Sequence, residues 1–210
     1  MPITYLLIGA TVLISMWAFS NPDLLYRLKH WPYAEAQRGE YYRLLTGGFL
    51  HVNYLHLAFN MITLYFFGKW VEVWFKYSFP EIGPLLYLIF YLMAIVAASL
   101  STYYRYRRSP YFASIGASGA TSAVLFAAIL LDPTLNLYLM FIPIPIPGVL
   151  FGVFYLWYSS HAAQRGGDGI DHLAHFYGAL FGFLFPILLK PALLPQFFEQ
   201  ILDWVSGSLQ

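Results

Sequence analysis

Apolar residues in this chain fall in long runs, and the polar ones are confined to the joints between them. Pro2–Ser20 is nearly unbroken, long enough to cross a hydrocarbon core of about 30 Å at 1.5 Å per residue. Asn21-Pro22-Asp23 closes it with turn chemistry. His51–Trp70 predicts a second helix, and Lys69–Pro80 a short amphipathic connection after it. Pro84–Tyr104 predicts a third, ending at Arg105, Arg107 and Arg108. Ser118–Leu131 predicts a fourth, short for a full span of about 20 residues. A helix starting inside a membrane needs shelter from lipid, and a water-filled cavity at its first residue would supply it. Asp132-Pro133 ends that helix. Alternate prolines from Phe141 to Gly148 forbid helix and predict an apolar turn skimming the interface. Val149–Ala163 and His172–Leu189 predict the fifth and sixth helices, with Asp168 or Asp171 as cap for the sixth. Leu193–Trp204 reads as an interfacial tail.

The expected fold is therefore an all-α membrane protein with six transmembrane helices, at residues 2–20, 51–70, 84–104, 118–131, 149–163 and 172–189, in a single domain over 1–210. Composition agrees. The chain is 60% hydrophobic and 10% charged, against about 25% charged in soluble domains, and could not clothe a soluble surface. A net charge of +1 without a basic stripe gives no reason to expect nucleic acid. The absence of Cys excludes disulfides, thiolate metal sites and a cysteine nucleophile. The first loop mixes Arg27, Lys29, Arg38 and Arg43 with Tyr26, Trp31, Tyr33, Tyr41 and Tyr42, which suits a segment lying in the interface. The first apolar run has no basic start and no small-residue cleavage site, so it reads as a retained helix, not a signal peptide.

Candidate chemistry centres on Ser114–Ala123, a small, mildly polar stretch where Leu or Ile would be ordinary. Its small residues let backbones approach closely, which packing alone would also explain. Ser118 stands at a helix start, where free N–H groups suit a developing oxyanion. If six helices alternate in direction, the second, fourth and sixth begin on one side. His51, His56, Ser118, His172 and His175 then gather near one membrane face. A serine beside a histidine is the minimum for an activated hydroxyl nucleophile. His56 and Asn60, four apart on one helical face, could donate to an oxyanion together with the Ser118 N–H. No carboxylate sits in a helix facing the cluster, which favours a dyad over a triad. His175, Gly178 and Gly182 share one face, where the glycines allow tight packing. Metal or haem ligation by His51, His56, His172 and His175 is the competing chemistry, disfavoured by the lack of Cys and the scarcity of membrane carboxylates.

These residues resemble the rhomboid intramembrane serine proteases in their minimal six-helix form. The matching pieces are Tyr42-Arg43-Leu44-Leu45-Thr46 with Phe49-Leu50-His51, then His56-x-x-x-Asn60, then Gly116-Ala117-Ser118-Gly119-Ala120, then His175-x-x-Gly178-x-x-x-Gly182, in that order over about residues 40–186. The resemblance implies Ser118 as nucleophile and His175 as its general base. It implies His56, Asn60 and Ser118 around the oxyanion, and Arg43, Gly116, Gly119, Gly178 and Gly182 as structural residues near the site. It implies no metal and no cofactor. Substrates would be transmembrane proteins cut within the lipid bilayer, entering by a gate between the second and fifth helices. A relative that binds membrane helices without cutting them is the alternative. Two positions depart from the pattern: Ser122 stands where some relatives carry an aromatic that stacks on the base, and Ala123 replaces a frequent glycine. His172 receives no role. The resemblance also implies a multi-pass protein of a bacterial inner membrane, with its site opening to the non-cytoplasmic side. Loop charge runs the other way: Arg27, Lys29, Arg38, Arg43, Arg105, Arg107, Arg108 and Arg165 would lie outside, and Lys69, Lys76 and Lys190 inside.

Overall fold

The computed structural model describes residues 2–139 and 142–207. Helix α1 (Ile3–Phe19) carries no charged residue. The first loop is itself built of short helices. In α2 (Pro22–Leu28) and α3 (Pro32–Arg38), proline opens the helix, where a missing N–H costs nothing. Asn21 caps α2 by accepting the Leu24 N–H at 3.0 Å, and Gly39, at φ 70°, ends α3 in the left-handed region. Helix α4 (Arg43–Thr46) runs into a single 3₁₀ turn, Gly47–Phe49.

Helix α5 (Tyr54–Thr63) is capped by Asn53, and His51 lies just ahead of it in the loop, outside the predicted helix. The helix continues through a wide π turn at Leu64–Gly68 into α6 (Lys69–Ser78). The connection predicted for Lys69–Pro80 is thus largely helix. Its charged residues do not break it because Glu72 has a buried use: its carboxylate accepts the Ile3 N–H at 2.6 Å, the Thr4 N–H at 2.9 Å and the Thr4 hydroxyl at 2.7 Å. Glu72 therefore satisfies the free N–H groups at the start of α1 from another helix. Val71 and Phe75, on the same side of α6, are fully buried.

Helix α7 (Gly83–Tyr106) precedes a loop that leads into α8 (Ser118–Leu131). Strands β1 (Asn136–Leu139) and β2 (Ile142–Pro147) then pair antiparallel, with Leu137 opposite Ile146 and an irregularity between Tyr138 and Leu139. The apolar turn predicted from Phe141 to Gly148 is a strand over most of its length; Phe141 lies outside the described residues. Every second residue of an edge strand points its N–H away from its partner, so prolines two apart cost no ladder bond. Helices α9 (Gly148–Arg165), α10 (His172–Leu189) and α11 (Leu193–Gly207) complete the chain.

Helix α8 occupies the centre, buried on every side from Gly119 to Leu130. A helix apolar all round belongs in that position. Against it lies α10, so close that a Cβ on Gly178 would strike the Gly119 carbonyl and one on Gly182 the Ala123 carbonyl. A Cβ on Gly119 would come within 2.5 Å of the Ala98 methyl of α7 and 3.3 Å of the Ala174 carbonyl of α10. Phe90 of α7 stacks on Phe181 of α10 with ring centroids 5.9 Å apart.

The outer surface is apolar. Leu13 is 73% exposed and Leu188 79%, with Phe66, Val153 and Trp157 also facing outward. Exposed apolar side chains in this number mark a surface that meets lipid or another protein. Among the described residues, α7 and α10 are long and apolar enough to cross a membrane by length and composition, and α1 and α8 are shorter apolar helices. Replacing Gly178 with Leu is expected to destabilise the fold by more than the ~1–3 kcal/mol typical of overpacking, because the obstruction is backbone. Thermal unfolding in detergent checks this; an unchanged midpoint would contradict the close approach.

Candidate active site

The segment between α7 and α8 has no regular structure, and its backbone is held by the first loop. The Ser114 N–H donates to the His30 carbonyl at 3.0 Å and the Gly116 N–H to the Gly47 carbonyl at 3.1 Å. The Ala117 N–H donates to His51 Nε2 at 3.4 Å. His51 is buried, and its Nδ1 lies 2.9 Å from the Ser15 hydroxyl, which donates to the Phe49 carbonyl. Ser15 has one proton to give, so the bonds assign the His51 ring proton to Nδ1. Gly116 sits at φ 141°, and a Cβ there would come 2.7 Å from the His56 ring. Glycine is needed at this point for conformation and for space.

The first loop is braced in turn. Buried Arg43 donates through Nε to Glu40 at 2.6 Å and through Nη1 to the carbonyls of Tyr26 and Lys29 at 2.8 and 3.1 Å. His30 and Glu35 form a buried pair at 2.6 Å.

With this loop fixed, Ser118 opens α8 with its hydroxyl 2.7 Å from His175 Nε2. Asp171 caps α10 one turn before His175 by accepting the Ala174 N–H at 3.0 Å. Ser118, His175, His56 and Asn60 line one cavity of about 710 Å³, which Leu55, Phe59 and Ile170 wall on the apolar side. Asn60 is buried. Its Oδ1 accepts from the Thr121 hydroxyl at 2.9 Å and its Nδ2 donates to the His56 carbonyl at 2.9 Å. Those bonds fix which way the amide points, and leave one Nδ2 proton beyond the one already shared.

Across residues 38–192 the chain matches the rhomboid domain family. It is a rhomboid. It is 31% identical over 175 residues to RHOMBOID-like protein 12, mitochondrial, of Arabidopsis thaliana, a match covering 78% of this chain and 51% of the relative. It is 27% identical over 158 residues to Rhomboid protein 1, mitochondrial, of Saccharomyces cerevisiae, covering 73% and 43%. A shorter match, 38% over 90 residues, joins it to Rhomboid protease GluP of Bacillus subtilis, covering 43% and 16%. The chain thus spans about half or less of the length of these relatives. A rhomboid domain makes this an integral membrane protein. The mitochondrial relatives lend no support to the bacterial inner membrane expected from the sequence.

Two further side chains reach Ser118 and His175. The aromatic missing at Ser122 is supplied from α9: the Tyr155 ring stacks on His175 at 6.4 Å between centroids and 29° between planes. Ser122 takes a different part. Its hydroxyl donates to the Ser118 carbonyl at 2.7 Å, so the Tyr155 hydroxyl, 2.5 Å away, must donate to it. Tyr155 is thereby tied to both Ser118 and His175. Its only signal in the sequence is a phenol inside an apolar helix. Thr121, which orients Asn60, follows the serine closely but shows no pairing by spacing.

His172 is buried outside the cavity lining, edge-on to His175 at 5.8 Å, with Nε2 2.7 Å from Asp168. That bond, followed by one from the Ile170 N–H, holds the exposed Asp168 carboxyl below its ordinary range. Among the described residues no three His, Asp or Glu side chains converge as metal ligands do.

Tyr155→Phe and Ser122→Ala should each destabilise by roughly 0.5–1.5 kcal/mol, and the double variant by less than their sum, because both break one chain of bonds. A double-mutant cycle on thermal unfolding measures this coupling, and simple additivity would refute the chain.

Proposed function

We propose that this rhomboid is an intramembrane serine endopeptidase that cuts transmembrane helices of substrate proteins with a Ser118–His175 dyad. The observation that carries the reading is the 2.7 Å approach of His175 Nε2 to the Ser118 hydroxyl within a cavity of about 710 Å³. A neutral imidazole at that distance accepts the serine proton. In the proposed reaction, Ser118 Oγ attacks the scissile carbonyl carbon as His175 Nε2 takes its proton. The carbonyl π electrons move to oxygen. The resulting oxyanion meets the Ser118 N–H, which has no intrahelical partner at the first position of α8, together with His56 and Asn60 on α5. Collapse breaks the C–N bond, and His175 gives its proton to the departing amine. Water then repeats the sequence on the acyl-enzyme, with His175 as base, and releases the new carboxyl end and free Ser118. Tyr155 and the close packing of α10 orient the imidazole, the part a carboxylate plays in a triad.

In the same reading six segments cross the bilayer: α1, the α5–α6 rod, α7, α8, α9 and α10. Helices α2–α4 lie in the interface on the side where the cavity opens, which is the non-cytoplasmic one. Substrates enter from lipid between α5 and α9. The apolar surface of these helices, with Ile62 and Val153 exposed, supports contact with lipid there.

Fluorophosphonate labelling in detergent tests the dyad. Wild type should label, and Ser118→Ala and His175→Ala should not, while all three unfold at similar temperatures. Failure of folded wild type both to label and to cut a transmembrane substrate in liposomes would favour a rhomboid that binds helices without cutting them. In the same liposomes His56→Ala and Asn60→Ala should each lower kcat about 10²–10³-fold, the usual cost of losing one oxyanion donor. Wild-type turnover in either variant would remove that residue from the oxyanion site.

A further inference from the structure

Asp171 holds together more of the molecule than a helix cap requires. Capping α10 takes one acceptor for the Ala174 N–H, and Ser, Thr or Asn would supply it. Here the Oδ1 that accepts the Ala174 N–H at 3.0 Å is also 3.0 Å from the Thr102 hydroxyl of α7. Oδ2 accepts from the same Thr102 hydroxyl at 3.0 Å and from the Ser114 hydroxyl at 2.9 Å. A carboxylate offers about four lone-pair sites; the Thr102 hydroxyl shares its one proton between the two oxygens, so three donors converge here where a cap needs one. Thr102 is wholly buried, so its end of the contact is anchored in the core.

Each partner belongs to a different part of the site. Ser114 lies in the loop that delivers Ser118, and its own N–H is bound to the first loop through the His30 carbonyl. Ala174 is in the first turn of α10, and the Asp171 carbonyl accepts the His175 N–H at 3.1 Å. Among the described hydrogen bonds none joins the Asp171 carboxylate to the His175 ring. Asp171 acts on where the two reacting groups stand.

We propose that Asp171 is a positioning residue: its carboxylate clasps the Ser118 loop, the start of α10 and α7, and so sets the spacing between Ser118 and His175. The proposal rests on the serine-protease reading. Misplacing a reacting group by about 1 Å can cost on the order of 10²-fold in rate. Asp171→Ala should therefore lower kcat by roughly 10–100-fold with KM little changed. Asp171→Asn should stay within about fivefold of wild type, because its amide oxygen can still cap Ala174 and the hydroxyls can turn to accept from Nδ2.

The experiment pairs kinetics in liposomes with hydrogen exchange of the backbone amides. In Asp171→Ala, both residues 113–117 and the first turn of α10 should exchange faster; in Asp171→Asn neither should. Ser114→Ala, which keeps the cap and the Thr102 contact, should speed exchange in 113–117 alone and lower kcat several-fold, and it serves if Asp171→Ala does not fold. Faster exchange confined to α10 in Asp171→Ala, or unchanged exchange at 113–117 in Ser114→Ala, would reduce Asp171 to a cap and overturn the proposal. So would an Asp171→Asn variant as slow as Asp171→Ala, which would point to charge instead of placement. If wild type neither labels with fluorophosphonate nor cuts, while exchange changes as described, the protease reading falls and takes the positioning role with it, although the clasp itself stands.

Discussion

The contact between the backbones of α8 and α10 is the constraint from which the rest of the molecule follows. Lipid tails are as apolar as Leu, so membrane helices gain little from burying apolar side chains against one another. Close approach and dispersion must do the work. Gly178 and Gly182 give α10 a bare face, and the carbonyls of Gly119 and Ala123 fill it. Gly119 adjoins Ser118, and Gly178 lies one turn beyond His175. The packing that joins the two helices therefore also brings the serine and histidine segments side by side.

Backbone outside regular structure must find its hydrogen bonds elsewhere, and the loop before Ser118 is non-helical. Its N–H groups are met in turn by His30, Gly47 and His51. All three acceptors belong to the first loop, which is why that loop must be rigid. Arg43, with its carboxylate partner and two carbonyls, and the buried His30–Glu35 pair provide the rigidity. Polar groups unusual in so apolar a chain thus brace the loop that holds the Ser118 segment.

Local signals made α8 and α10 legible from residues alone, with the observed ends where expected: a small-residue run before one, Asp171 before the other, and Asp132-Pro133 or Lys190-Pro191 after them. The expected alternation of helices gathered His51, His56, Ser118, His172 and His175 near one face, and the resemblance to rhomboid proteases picked Ser118 and His175 from among them. What escaped was long-range. Glu72 reads as a loop residue until α1 is seen to start on it. Alternate prolines read as a turn until a partner strand is seen beside them. Tyr155 and Ser122 are separated by most of α8, a hairpin and the first turns of α9, and no periodicity links them. Asp171 reads as a cap, and only the fold adds Thr102 and Ser114.

The burial of α8 on every side bears on how such a protein can diversify. Each residue from Gly119 to Leu130 is pressed against a neighbour, and Gly119 is pinned between α10 and the Ala98 methyl. Sequence drift there is paid for in stability. The opposite wall of the cavity, with Leu55 and Phe59 on α5 and Ile170 in the loop before α10, touches neither of the two glycine contacts. New preferences for what the cavity holds have room to arise on that wall, while the helix carrying the serine stays nearly constant.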